Sequence, residues 1–329
     1  MFIVIPVAAS NFGTPLAVAP LSGLIYGTGS PISSSGPSDQ QLSLYFSSPT
    51  SSQAYYPIGI SSVGLYSKGQ AYTIETGSVA GIAMINAFGT AAQSDGASLQ
   101  LNAVIVIDNL NGTQSTLWSQ DTVNFAGSQV YYESWIMQDT GPGVTFSESG
   151  ASYLLTLQNA YYVYSTYQTN YALPFDQLLV MNVSVVPGGV QVSFTEESIT
   201  GLTASNNTTL NYEYYRAAPY STVFVGDPEA SAAYFLISGQ SVISYPDNSV
   251  NFYDAELVFG GPGNGSTGVF TSMGAQLYLF YSYSEAYYYF PTYFNYGFST
   301  AESASGIQSA LNSGMANVTL GTFQAQGPV

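Results

Sequence analysis

Asp254-Ala-Glu256 and Asp227-Pro-Glu229 each set two carboxyls two residues apart, the spacing that puts both side chains on one face of a β-strand. Two such acids can share one proton, activating water with one group and protonating a leaving group with the other. They can equally supply oxygen ligands to Ca²⁺, although acid weakens that binding, or simply face solvent. Carboxylates carry this weight because little else is available. The chain has 329 residues, 19 Asp+Glu, 2 Lys+Arg, and neither His nor Cys. That excludes Ser-His-Asp and Cys-His catalysis, zinc and haem ligation, and disulfides. With Lys68 and Arg216 as the only cations, no basic surface can neutralise phosphates, so no nucleic-acid partner is expected. No cofactor and no metal is expected either.

Three other motifs carry less. Asp139-Thr140-Gly141 has the tripeptide of a two-aspartate active-site turn, but no second copy exists, and with Pro142 following it reads as a turn. Gly260 to Gly268 has the glycine content of a phosphate loop without its Lys or a following helix. Ser67 and Lys68 are neighbours in sequence, and neighbours on a strand point apart.

The formal net charge is −17 at pH 7 and charged residues make up 6% of the chain, so most carboxylates have no cation to pair with. At roughly pH 2–3 they would be largely neutral, because free Asp and Glu titrate near pH ~4. A chain built this way rests on no ion pairs that acid breaks and accumulates little self-repulsion there. The composition therefore predicts life in an acidic exterior, with polarity supplied by Ser, Thr, Asn, Gln and Tyr.

The elements that position these groups read as strands. Leu99 to Asp108, the turn Asn109 to Gly112 and Thr116 to Phe125 form one predicted hairpin. Gln177 to Val186, Pro187-Gly-Gly189 and Val190 to Phe194 form another, with Val190, Val192 and Phe194 on one face. Ala275 to Tyr283 alternates again, and only Ile307 to Met315 has a short helical reading. The fold class expected is all-β, antiparallel β-sandwich domains with very little helix. The tyrosine-dense run Tyr278 to Tyr296 reads as sheet packing with wet hydroxyls rather than as a binding platform. The expected organisation is an N-terminal arm over 1–20, a first β domain over 21–172 and a second over 173–329. The Ser-rich stretch 30–38 is a linker or surface loop.

Phe2, Ile3, Val4, Ile5 and Val7 make a short apolar strand-forming run, too short to span a membrane, which takes ~20 residues. Burying each such side chain stabilises by about 1.5–3 kcal/mol before ordering costs, so this arm is a candidate assembly strand, donated to a neighbouring copy or kept by its own sheet. Sequons at Asn111, Asn182, Asn206, Asn207, Asn264 and Asn317 permit N-linked glycans on a secreted chain. No stretch is long and apolar enough for a transmembrane segment.

Four collinear segments resemble the thermopsin family, acid proteases of thermoacidophilic archaea. Pro57-Ile-Gly-Ile-Ser-Ser-Val-Gly64 is similar to the family's Pro-Met-Gly-Ile-Ala-Asp-Tyr-Gly opening. Leu99-Gln-Leu-Asn102 with Trp118-Ser-Gln-Asp-Thr122 resembles its Gln-Leu-Asn and Trp-Val-Gln-Asp-Val pair. Asp254-Ala-Glu-Leu-Val-Phe-Gly-Gly-Pro-Gly-Asn-Gly265 matches its Glu-Leu-Val-x-Gly-Gly-Pro-Gly-Gly-Gly stretch, and Phe294-Asn-Tyr-Gly-Phe-Ser-Thr-Ala-Glu302 its Tyr-Asn-Phe-Gly-x-x-Thr-Gly-Glu segment. The resemblance implies a secreted, acid-stable β protein. If it is active, the acids at matched positions are Asp121, Asp254, Glu256 and Glu302, with Asp254 or Glu256 expected to pair with Asp121 or Glu302. One departure stands out: Ser61 and Ser62 occupy the region where the family's opening has an acid.

That missing acid, the apolar arm and the near-absence of charge in acid favour a non-catalytic cell-surface or filament-forming subunit, self-assembled by strand association. The alternative is an acid endopeptidase using a carboxylate dyad, and a carbohydrate-binding module is a third reading. All three place the protein outside the cell, in acid.

Overall fold

The computed structural model describes residues 56–329, apart from 68–69, 93–95, 142–143, 150–152, 158–159, 206–208, 218–220, 245–249, 264, 284–285 and 313. The N-terminal arm, the Ser-rich stretch, Lys68 and the sequons at Asn206, Asn207 and Asn264 lie outside the described residues. In chain order the strands are β1 (Ile58–Ser62), β2 (Thr73–Thr76), β3 (Ser78–Thr90), β4 (Ala97–Asn109), β5 (Gln114–Ala126), β6 (Gln129–Thr140), β7 (Thr145–Ser149) and β8 (Tyr153–Leu157). There follow β9 (Ala160–Asn170), β10 (Phe175–Val186), β11 (Gly189–Ser205), β12 (Thr209–Ala217), β13 (Ser221–Gly226), β14 (Ala230–Ser244) and β15 (Val250–Tyr253). The chain ends with β16 (Ala255–Gly260), β17 (Thr267–Tyr283), β18 (Ala286–Tyr289), β19 (Phe294–Tyr296), β20 (Ser303–Ser305), β21 (Ile307–Asn312) and β22 (Met315–Leu320). No helix occurs among the described residues, and none therefore is long and apolar enough to cross a membrane.

The strands form two sheets, antiparallel save for the β17–β20 pair. The first runs β19-β1-β16-β4-β5-β6-β9-β8, with β14 beside β4 and in turn beside β2 and β15. The second runs β21-β22-β17-β3-β10-β11-β13-β7, with β12 on β11 and β18 and β20 on β17. Period-2 alternation decides what lies between them. Leu99, Leu101, Ala103 and Ile105 of β4, Leu117, Val123 and Phe125 of β5, and Leu257 and Phe259 of β16 turn inward. They meet Val79, Ala83 and Ile85 of β3, Leu179 and Met181 of β10, Val190, Val192 and Phe194 of β11, and Leu277 and Leu279 of β17 in one shared core. The sandwich is the expected fold class. The position expected to divide two domains falls in the connection from β9 to β10, which passes between the sheets, and each sheet contains strands from both sides of it.

Both predicted hairpins form. β4 and β5 pair from Ala97↔Phe125 to Asp108↔Gln114 around a turn where Gly112 takes φ 81°, a left-handed value suited to glycine. β10 and β11 pair down to Val186↔Gly189, closing on Pro187-Gly188 with Gly188 at φ 86°. The helical reading of Ile307 to Met315 is corrected. β21 and β22 form a hairpin there, because Ile307 and Ser309 are buried while Gln308 and Ala310 are exposed, a period of two. Tyr278, Tyr281, Tyr287, Tyr293 and Tyr296 are buried as sheet packing, while Tyr283 stays 65% exposed.

Candidate active site

The outer face of the first sheet carries a band of polar side chains where alternation leaves no apolar ones. Register places Glu256 beside Asn102 and Ser61, Gln100 beside Thr122, Asn102 beside Gln120, and Thr122 beside Glu133. These groups are buried all the same. The Gln120 amide donates to Gln100 Oε1 at 3.0 Å, Gln100 Nε2 donates to Ser98 Oγ at 2.8 Å, and Asn124 Nδ2 donates to Glu133 Oε2 at 2.8 Å. Burial pushes the Glu133 carboxyl up to about 7, with Asn124 opposing the shift.

Glu256 closes one end of this band and collects four donors. Asn102 Nδ2 at 2.7 Å and Ser299 Oγ at 3.0 Å reach Oε1, and the Phe298 N–H at 2.7 Å and Ser299 N–H at 3.5 Å reach Oε2. The segment after β19 can lie this close because residue 297 is glycine; a Cβ there would collide with Glu256 Oε2. Asp254, fully buried beside it, has no such support. Its carboxyl stands next to Glu256 and Ser299, and neither oxygen receives a hydrogen bond of normal geometry. The two acids therefore part company. Burial, then the Glu256 charge, raises Asp254 well above the ordinary carboxylate range. Burial also raises Glu256, but its donors oppose that. Asp254 is the member that holds its proton more tightly, and Glu256 the first of the two to ionise.

The acids named from sequence are thus brought together in part. Asp254 and Glu256 pair with each other. Glu302 lies half-exposed at the rim, accepting from Thr300 Oγ1 and from the Gly265 N–H at 3.2 Å, its Cβ filling the space that a side chain at Gly260 would need. Asp121 is elsewhere. It lies on the inward face of β5 with Val123 and Phe125, and its partner is Glu196, a residue not named from the sequence. Glu133, Gln100, Asn102 and Gln120 were likewise not singled out for chemistry. Asp227 caps its own turn, Oδ1 accepting the Glu229 N–H at 3.2 Å.

Ser61 and Ser62 also separate. Ser61 Oγ donates to the Tyr296 carbonyl at 2.6 Å, while Ser62 shares a 2.6 Å hydroxyl contact with buried Tyr72. Ser62 pairs with Ala255 and so faces away from Glu256. An acid lost at residue 62 is an acid lost from the opposite face. Among the sequons, Asn111 is exposed in its turn, whereas Asn182 and Asn317 are half-buried on β10 and β22.

The sequence model of the Thermopsin family matches residues 40–307. Thermopsin of Sulfolobus acidocaldarius (strain ATCC 33909) is 32% identical over 103 residues, which make up 31% of this chain and 29% of that protein. The matched region is thus under a third of the length of this curated relative.

Proposed function

The chain belongs to the thermopsin family, and we propose that it is a secreted acid endopeptidase whose catalytic pair is Asp254 and Glu256. One observation carries the proposal: the segments that resemble the family come from β1, β4, β5, β16 and the chain after β19, and they meet around Glu256. Gln100 and Asn102 come from one, Gln120 from the next, Glu256 from the third, and the Phe298 N–H from the last. Ser61 lies directly beside Glu256 in the register.

The division of labour follows from the environments. Glu256, the more readily ionised of the two because four donors face it, takes a proton from water as it attacks the peptide carbonyl. Asp254, kept protonated, gives its proton to the leaving amine. The second N–H of the Gln100 and Gln120 amides supplies donors for the carbonyl oxygen as charge develops on it. Both acids are fully buried, so substrate enters when residues 297–300 lift away. The other expectation, a structural subunit joined through Phe2 to Val7, rests on residues outside those described, and the paired acids favour the catalytic reading over it.

The test is hydrolysis of an unfolded protein at pH ~3 by the wild type and by Glu256→Gln. Loss of a general base of this kind lowers the rate by about 10²–10⁴. A Glu256→Gln protein that is folded and retains wild-type activity would overturn the assignment.

A further inference from the structure

Asp121 and Glu196 belong to no part of that site, yet they are among the most deeply buried polar groups in the molecule. They come from opposite sheets. Asp121 stands on the inward face of β5, and Glu196 on the inward face of β11, two positions beyond Phe194. Their carboxyls face each other across the interior, close enough to interact. Ser134 of β6, paired in register with Asp121, reaches Asp121 Oδ1 and Glu196 Oε1 at 3.5 Å each, and lies 3.1 Å from Ser221 Oγ of β13. Asp121 Oδ2 and Glu196 Oε2 are buried without a normal partner. Four strands, two from each sheet, meet at this pair.

We propose that this pair is an acid-dependent clasp between the two sheets, closing the sandwich while the proton is shared and loosening it once both acids ionise. The physical reason is the asymmetry of a buried carboxyl pair. Singly protonated, it is a hydrogen bond; doubly ionised, it places two like charges in a dry interior, where their repulsion is scarcely screened. Tyr132 shares the inward face of β6, but its hydroxyl points to Gln177 Oε1 at 3.3 Å. β4 and β10 bring Leu101 and Leu179 alongside in the register, and β13 brings Ser221 and Val223. On β12, Arg216 stands opposite Ser198, two positions along β11 from Glu196. Burial raises both acids, and Glu196 is raised further by the Asp121 charge.

The sign is fixed by linkage. The native pair binds its proton more tightly than the unfolded chain does, so the clasp contributes fully below pH ~4. Its contribution is lost as pH climbs from there through the raised folded values. A chain made in a near-neutral compartment would then close tightly only on reaching an acidic one. The inference requires no catalytic activity.

Thermal unfolding of the full chain between pH 3 and 7 tests it. The wild-type midpoint should fall by about 5–10 °C over that range, and Glu196→Gln and Asp121→Asn should each remove a large part of the fall. Variants that keep the full wild-type slope overturn the clasp, as does a slope abolished by Arg216→Gln and untouched by Glu196→Gln. Should either substitution prevent folding, hydrogen exchange of the wild type decides. Corrected protection of β5, β6, β11 and β13 amides should drop by about tenfold or more between pH 4 and 7 while the β3–β17 pair holds. Uniform protection across both groups of strands would overturn it.

Discussion

The two buried acid pairs make a natural experiment. Both have a carboxyl on a strand of the first sheet and a partner close enough to share a proton, and both sit in full burial. Their surroundings differ. Asp254–Glu256 lies on the outer face, and one member is wrapped by an amide, a hydroxyl and two backbone N–H groups while the other has almost nothing. Asp121–Glu196 lies between the sheets, and the serine hydroxyl serves both members equally at 3.5 Å. Asymmetric solvation separates an acid from a base. Symmetric solvation across a sheet interface leaves a strut. The chemistry of a carboxyl pair is decided by what donates to it, not by the pairing itself.

That contrast can be broken most forcefully by crossing the substitutions with the assays. Glu256→Gln should lower peptide hydrolysis at pH ~3 by about 10²–10⁴ with little change in the pH slope of stability attributed to the inner pair. Glu196→Gln should do the reverse, keeping activity at pH ~3 within about threefold while flattening that slope. If both variants move both readouts together, the two pairs are one coupled network.

Asn102→Ala comes next. Losing the 2.7 Å amide donor removes support for ionised Glu256, which raises its folded pKa. The acid limb of the activity profile, where Glu256 must be ionised, should move to higher pH, with a rate loss of about tenfold at pH ~3. A lowered rate with an unmoved acid limb would show that Asn102 acts on something else.

Glu133 sharpens the comparison as a single acid with one amide donor. Burial lifts it to about 7, so it too contributes stability at low pH that drains away between pH ~4 and ~7, on the order of 2–3 kcal/mol. Glu133→Gln should flatten the urea-unfolding free energy over that window without touching activity at pH ~3. The smallest effect is expected at Glu302. Glu302→Gln retains an acceptor for the Gly265 N–H, and activity should stay within about threefold. A larger loss would move Glu302 from the rim into the reaction.

Much of this arrangement was legible in strand alternation, more than in the residue types themselves. Leu99-Gln-Leu-Asn102 announces two faces, and the two leucines take the core, so Gln100 and Asn102 must look outward. The same rule applied to Gln120 and Asp121, which are adjacent, forces one of them inward. Asp121 takes the inward face and so cannot be the partner expected for Asp254 or Glu256. Val190, Val192 and Phe194 were read as one face, and two more steps along the strand bring Glu196 onto it. What sequence could not supply was the partner across the interior. Nothing local relates β5 to β11, and the meeting of Asp121 with Glu196 exists only once the second sheet is laid on the first. The donors to Glu256 were equally hidden, because two of them are backbone N–H groups of residues 298 and 299, forty-odd positions away.

The long reach of the strand pairings has a kinetic side. Ile58 pairs with Phe259 and with Tyr296, and Thr73 with Ser238. A sheet whose neighbours are more than 160 residues apart must close very large loops before those contacts repay the entropy, so it folds slowly. The same interlacing leaves no terminal segment of β1 or β19 that can peel away without tearing strands recruited from the far end of the chain. Partial opening then becomes nearly as costly as complete unfolding. If the proposed peptidase activity holds, self-digestion would be limited by how rarely the whole molecule opens, and its working lifetime would be set by a barrier height more than by an equilibrium.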